Sequence, residues 1–379
     1  MIVLKHSLHA AVANSEQRMP ADRLVLRRPL LEHLDKAFAA PGVDTSVEIA
    51  LKTVSKDSLF DSYIEVGLAG APLGQTRELL VDSGNTCLVF PFWEDIAALP
   101  NFKADYQVML QDVKEPWGCK ANIVKGPIVL PKVGGGSLRI DGVTFFACKA
   151  DAAAPRKANF GVGAVSPWSR YPLDDPQLVL QSPLSFAASL PVAEFDFVAG
   201  EILGTGGSPK TDFASRLYLH ASMPAGFQTF QVIPGLAWMT MRAVALDVAG
   251  QHTAWPSDSK AYAVIDTGGT CVFLVDPRGL LHPETFPDVQ RNPDWTCRGW
   301  VCSTVGCAIS LTLGDEHSTY AYTIAPDRLP AAARGQTLVA CKENDFMRDL
   351  YGLNTGGLSM LVNDLAIDYA GKRIGWKPK

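Results

Sequence analysis

The chain has 379 residues, 47% of them hydrophobic and 19% charged, which is enough apolar material for a large core and too little charge for intrinsic disorder. Its formal charge of −5, from 34 basic and 39 acidic residues, leaves no electrostatic case for nucleic acid. Gly (32) and Pro (26) are frequent, which favours turns and short strands over long helices.

At the start, Met1 to Ser15, Lys5 and His6 interrupt the apolar residues and no adequate h-region follows. That reads as a cytosolic protein, or as a secreted one whose native start is missing from this sequence. Residues 1–40 hold six basic residues (Lys5, Arg18, Arg23, Arg27, Arg28, Lys36) against four acidic ones and are net basic, unlike the rest. Within them, Leu24, Leu26, Leu30, Leu31, Leu34 and Phe38 recur between charges, which predicts a helix over Ala21 to Ala40, ended by Pro41 and Gly42. Residues 1–45 are therefore set apart as an N-terminal extension or a prosegment.

From Val47 the pattern changes to strands. Val47, Ile49 and Leu51 alternate with polar residues; Tyr63, Ile64, Val66 and Leu68 follow, then Leu79, Leu80 and Val81. Turn clusters such as Ala69 to Pro72 separate them, and similar segments continue to the C-terminus, predicting a mainly β protein. The longest uncharged stretch, about Ala221 to Met241, contains Pro224 and Pro234, so no membrane-spanning helix is predicted.

The informative feature is an internal repeat. The first copy reads Leu80-Val81-Asp82-Ser83-Gly84-Asn85-Thr86-Cys87, followed by apolar Leu88, Val89 and Phe90. The second reads Val264-Ile265-Asp266-Thr267-Gly268-Gly269-Thr270-Cys271, followed by Val272, Phe273 and Leu274. One Asp-Ser/Thr-Gly is a weak signal. Two copies, each between apolar strand runs, point to a duplicated half. Two carboxylates brought together cannot both ionise easily, so the pair shares one proton. The charged member takes a proton from water while the neutral one polarises a carbonyl. Ser83 and Thr267 can brace the two loops, and Gly84 and Gly268 permit close backbone approach.

At these residues the chain resembles the pepsin family of aspartic peptidases. Tyr63 to Gly67 resembles the opening strand of its N-terminal lobe. Asn159-Phe160-Gly161-Val162-Gly163 resembles the segment that packs under the first Asp loop. Thr355 to Leu358, Ala366 to Asp368 and Ile374 to Trp376 resemble the C-terminal counterpart. The resemblance covers roughly Val47 to Lys379. It implies a bilobal acid-protease fold with pseudo-twofold related lobes, residues 46–215 carrying Asp82 and residues 216–379 carrying Asp266, with the active-site cleft between them. It also implies a disulfide between Cys302 and Cys341, and a flap over the substrate at Glu115 to Gly126, where Trp117 takes the place of the usual Tyr beside Gly118. The implied activity is endopeptidase cleavage of an extended peptide or protein substrate by a monomer, without cofactor or metal.

Three departures from the family pattern stand out. Asn85 and Gly269 occupy positions where the family has Ser or Thr donating to each catalytic Asp. Loss of that bond to the ionised form raises a carboxylate's pKa, so an activity optimum less acidic than the family's is expected. Val89 stands where Trp is common. These departures leave two alternatives open: a binding or inhibitory module of the same fold, and an enzyme using the acid–base pair on a non-peptide substrate. Cys297, Cys302 and Cys307 are spaced too loosely for most zinc knuckles and read as disulfides or free thiols. Cys87 and Cys271 read as packing residues behind the Asp loops.

Overall fold

Alternation along the first strand shows how the sequence builds a half-buried sheet. In β1 (Val47–Lys56), Ile49, Leu51 and Thr53 are buried, while Glu48, Ala50 and Lys52 between them are only partly so. The computed structural model describes residues 46–56, 59–72, 75–114, 119–149, 158–164, 180–198, 210–212, 215–233, 239–248, 250–256, 261–269, 271–275, 290–297, 300–329, 337–341 and 351–379. The chain divides into two units, Met1–Thr45 and Ser46–Lys379. The first, with its expected helix over Ala21 to Ala40 and the prosegment reading, lies outside the described residues.

The second unit is mainly β, as expected. Its first sheet continues through β2 (Leu59–Leu68), β3 (Thr76–Asp82), β4 (Leu88–Phe90), β5 (Gln107–Lys114), β6 (Lys120–Pro131), β7 (Ser137–Cys148) and β8 (Asn159–Gly161). Six of these strands close a barrel in the order β2-β3-β8-β4-β7-β6, with Gly67 and Leu68 of β2 pairing back to Val129 and Ile128 of β6. Closure removes exposed edges and encloses a core containing Phe90, Phe145 and Phe160. Strand β5 extends from β6 as the other arm of a hairpin.

The same sheet runs on through β9 (Val192–Asp196), β10 (Lys210–Asp212), β11 (Arg216–His220) and β12 (Gln228–Gln231). The expected boundary after residue 215 falls at the start of β11, which pairs with both β1 and β9. The second sheet has ten described strands: β13 (Thr240–Val248), β14 (Gln251–Ala254), β15 (Ala261–Val264), β16 (Val272–Val275), β17 (Gln290–Cys297), β18 (Trp300–Val305), β19 (Ile309–Gly314), β20 (Thr319–Ile324), β21 (Leu338–Cys341) and β22 (Tyr351–Asn354). The last two strands, β23 (Asn363–Asp368) and β24 (Arg373–Pro378), return to the first sheet, where β23 pairs with β9. Trp376 of β24 is fully buried and stacks on Tyr320 and Tyr322 at centroid distances of 6.0 and 5.6 Å.

The sequence repeat is also a repeat of topology. Strand β3 runs parallel to β8, while β4 is antiparallel to β8 and parallel to β7. In the second sheet β15 runs parallel to β22, while β16 is antiparallel to β22 and parallel to β21. Each Asp therefore leaves a buried strand at an equivalent point of an equivalent local arrangement.

Candidate active site

Asp82 is the last residue of β3, and Asp266 follows Ile265 just beyond β15. Val81 and Ile265 are fully buried, so each carboxyl is anchored at the end of a rigid apolar strand. The two loops are tied to each other reciprocally. The Ser83 N–H donates to Thr267 Oγ1 at 3.0 Å, and the Thr267 N–H donates to Ser83 Oγ at 2.9 Å. Each hydroxyl then donates onward to the opposite strand: Ser83 Oγ to the Ile265 carbonyl at 2.8 Å, and Thr267 Oγ1 to the Val81 carbonyl at 3.0 Å. Both side chains are buried, so every one of these groups depends on the other loop for its partner.

The glycines set how closely the loops meet. A Cβ on Gly84 would lie 2.8 Å from Asp266 Cγ, and a Cβ on Gly268 would lie 2.7 Å from Asp82 Cγ. Each glycine thus lies directly against the opposite carboxyl, where no side chain fits.

The two carboxyls have unlike surroundings. Asp266 Oδ1 accepts the N–H groups of Gly268 at 2.8 Å and Gly269 at 3.1 Å, and its Oδ2 accepts the Asn354 amide at 2.6 Å. Three N–H donors suit a carboxylate, so the negative charge of the pair belongs on Asp266. Asp82 Oδ2 accepts the Asn159 amide at 2.7 Å, whereas its buried Oδ1 meets no N–H or O–H donor of the protein. Burial first, and the charge of Asp266 second, push the Asp82 carboxyl well above the usual carboxylate range. The Asn159 bond, and more weakly the nearby Gly84 N–H, pull the other way without offsetting them. A hydrogen bond that the protonated Asp82 carboxyl makes to Asp266 adds to the rise.

The positions that depart from the family pattern behave differently from each other. The Asn85 side chain turns into its own loop, where its Oδ1 accepts the N–H groups of Thr86 at 2.7 Å and Cys87 at 3.3 Å. Gly269 lacks a side-chain donor, but its backbone N–H reaches Asp266 and Asn354 supplies the missing bond. The expected loss of support at Asp266 is therefore corrected: the carboxyl that is pushed up is Asp82. Asn159 and Asn354 were not singled out by sequence reasoning. The available signal was a shared Asn-x-Gly, Asn159-Phe160-Gly161 and Asn354-Thr355-Gly356, with a polar residue where a buried strand calls for an apolar one.

Trp117 and Gly118 lie outside the described residues. The described base of that hairpin has register shifts between Val108 and Val113. Asp112 there adopts a left-handed φ of 56°, donates its N–H to Asn122 Oδ1 at 3.3 Å and pairs with Lys149. Val89 packs in a small buried cluster with Cys87, Cys119, Phe146 and Cys148. Burial pushes the Cys271 thiol up to about 12, which keeps it a neutral packing group. Cys302 and Cys341 sit on the antiparallel strands β18 and β21, where Ser303 faces Ala340. Their side chains lie outside the described ones, and the described residues contain no disulfide. Among the described residues no group of His, Cys, Asp and Glu is placed to hold a metal, and no helix is long and apolar enough to cross a membrane.

No protein-family model matches the chain, and no curated protein matches it.

The loop brace makes a separate prediction. Ser83→Ala removes the acceptor for the Thr267 N–H and leaves the Ile265 carbonyl without its donor. Each buried group left unpaired costs about 1–3 kcal/mol, so the variant is expected to melt several degrees below wild type. Thr267→Val is expected to do the same from the other side. Thermal melts followed by circular dichroism check both; unchanged melting would mean the brace contributes nothing.

Proposed function

We propose that the chain is an aspartic endopeptidase of the pepsin type, with two pseudo-twofold related lobes and Asp82 and Asp266 facing each other in the cleft between them. The observation that carries this reading is the reciprocal brace of Ser83 and Thr267, which brings two carboxyls of unlike surroundings together at the ends of topologically matched strands. The pair has one acid and one base. Asp266 takes a proton from a water held between the carboxyls as the water oxygen attacks the peptide carbonyl carbon. Asp82 gives its proton to the carbonyl oxygen, forming a neutral tetrahedral diol with no bond to the protein. Return of the proton from Asp266 to the amide nitrogen lets the C–N bond break. One hydroxyl proton of the diol then goes back to Asp82, and the starting state is restored.

An extended peptide in the cleft, a monomeric chain without cofactor, and residues 1–45 as an N-terminal extension or prosegment belong to the same proposal. Because Asp82 holds its proton well above the ordinary Asp value near ~3.9, the alkaline limb of activity is expected above that value, at less acidic pH than is usual for the family. The test is digestion of a diverse peptide pool from pH 3 to 8 by wild type and Asp266→Asn, read by mass spectrometry. Cleavage by wild type alone, persisting above pH 4, supports the reading. No cleavage by either rejects it and leaves a binding module or acid–base chemistry on a non-peptide substrate.

A further inference from the structure

Each carboxyl of the pair is met on Oδ2 by an amide from a matched place. Asn159 opens β8 beside Leu80 of β3, and Asn354 ends β22 beside Val264 of β15. Leu80 and Val264 each stand two residues before their Asp. The two amides differ at their other ends. Asn354 Oδ1 accepts the Gly356 N–H at 2.9 Å. That N–H can only donate, so it holds the amide oxygen and leaves the NH₂ group to face Asp266. Asn159 Oδ1 is buried and accepts nothing. Its NH₂ group donates to Asp82 Oδ2 at 2.7 Å, so Asp82 is the group that engages this amide. The charged group acting on Asp82 is Asp266 itself.

We infer that Asn159 and Asn354 are positioning residues of the carboxyl pair. Asn354 is a fixed donor that keeps Asp266 the charged member. Asn159 is the matching side-chain donor to Asp82, and it favours that carboxyl's ionised form. This rests on Asp82 and Asp266 working as the acid–base pair proposed above. It accounts for the residues at the loop positions, where Asn85 is turned away and Gly269 has no side chain. A Cβ on Gly269 would stand 3.2 Å from Asp266 Oδ2 and 3.6 Å from Asn354 Oδ1, so a hydroxyl there would compete with the amide for the same oxygen.

The test reads the pair directly, without substrate. Protein labelled with ¹³C at the aspartate carboxyls is titrated by NMR, and the two resonances are identified by their loss in Asp82→Asn and Asp266→Asn. Asn354→Ala is expected to raise the lower of the pair's two titration steps by about one pH unit or more, and Asn159→Ala the upper one. Adding Gly269→Ser to Asn354→Ala is expected to return the lower step toward wild type, an outcome that a purely structural role for Asn354 would not produce. If Asn354→Ala does not fold, Asn354→Ser takes its place with the same direction expected. Unchanged steps in the single variants overturn the inference, as does failure of Gly269→Ser to restore a shifted one. Shifted and restored steps in a protein that cleaves no peptide keep the inference and reject the peptidase reading. Cleavage with unshifted steps does the reverse.

Discussion

For the proposed peptidase, Asp82→Asn is expected to lower peptide cleavage by about 10³-fold or more while making the folded chain more stable at neutral pH. The two effects have one cause. The folded-state carboxyl binds its proton more tightly than the unfolded chain does, because it is buried beside the charge of Asp266. A raised value of this kind contributes stability that is complete below the unfolded value, near ~3.9, and is lost as pH rises through the folded one. At neutral pH the wild type must therefore either hold a proton against solution or carry two facing charges. Asparagine has no proton to lose. Its amide can still donate toward Asp266, as the protonated acid does. The melting temperature of the variant relative to wild type should thus climb with pH from about 4 upward. Paired measurements of kcat/KM and of melting temperature against pH check this. A variant that still cleaves peptides removes the acid role. One whose relative stability does not change with pH removes the raised value.

Gly268→Ala is expected to cost about 10²-fold in kcat/KM, with a loss of stability of about 1–3 kcal/mol. The added methyl would sit 2.7 Å from Asp82 Cγ and 2.8 Å from its Oδ1. Carbon atoms do not approach that closely, and Asp82 is a short side chain tied to Asn159, so it cannot simply swing away. The loops must separate instead. The brace resists, because Ser83 and Thr267 cannot follow without losing buried bonds. Gly84→Ala should act alike, with its methyl 2.8 Å from Asp266 Cγ. Gly67→Ala on β2 is the control, since its methyl meets only ordinary contacts at 3.6 Å and beyond, and wild-type rates are expected. Equal rates for Gly268→Ala and Gly67→Ala would mean the carboxyl spacing is not critical.

What the sequence revealed and concealed follows from how local each interaction is. The β character was legible because alternation such as Ile49, Leu51 and Thr53 is a property of neighbouring residues. The carboxyl loops were legible because duplication wrote one short pattern twice. The amide partners were not, because Asn159 and Asn354 reach their Asp residues across 77 and 88 positions through parallel strand pairing. No local pattern announces that register. Gly269 misled for a related reason: a residue without a side chain still has an N–H, and here that N–H points at Asp266. Asp82 is pushed up by burial first and by the charge of Asp266 second, and both depend on which distant strands pack around it.

The return of β23 and β24 to the sheet that β1 began has a consequence for the order in which the chain can fold. Strand β9 finds β11 among the residues that soon follow it, but its other neighbour, β23, is made only after the whole second sheet. The six-stranded barrel draws on earlier residues alone and can close while the rest is still being synthesised. The sheet beside it cannot. Until β23 has been made and has docked, one edge of β9 stays open to any other strand that meets it, so the interval between barrel closure and β23 docking exposes the nascent chain to misassembly.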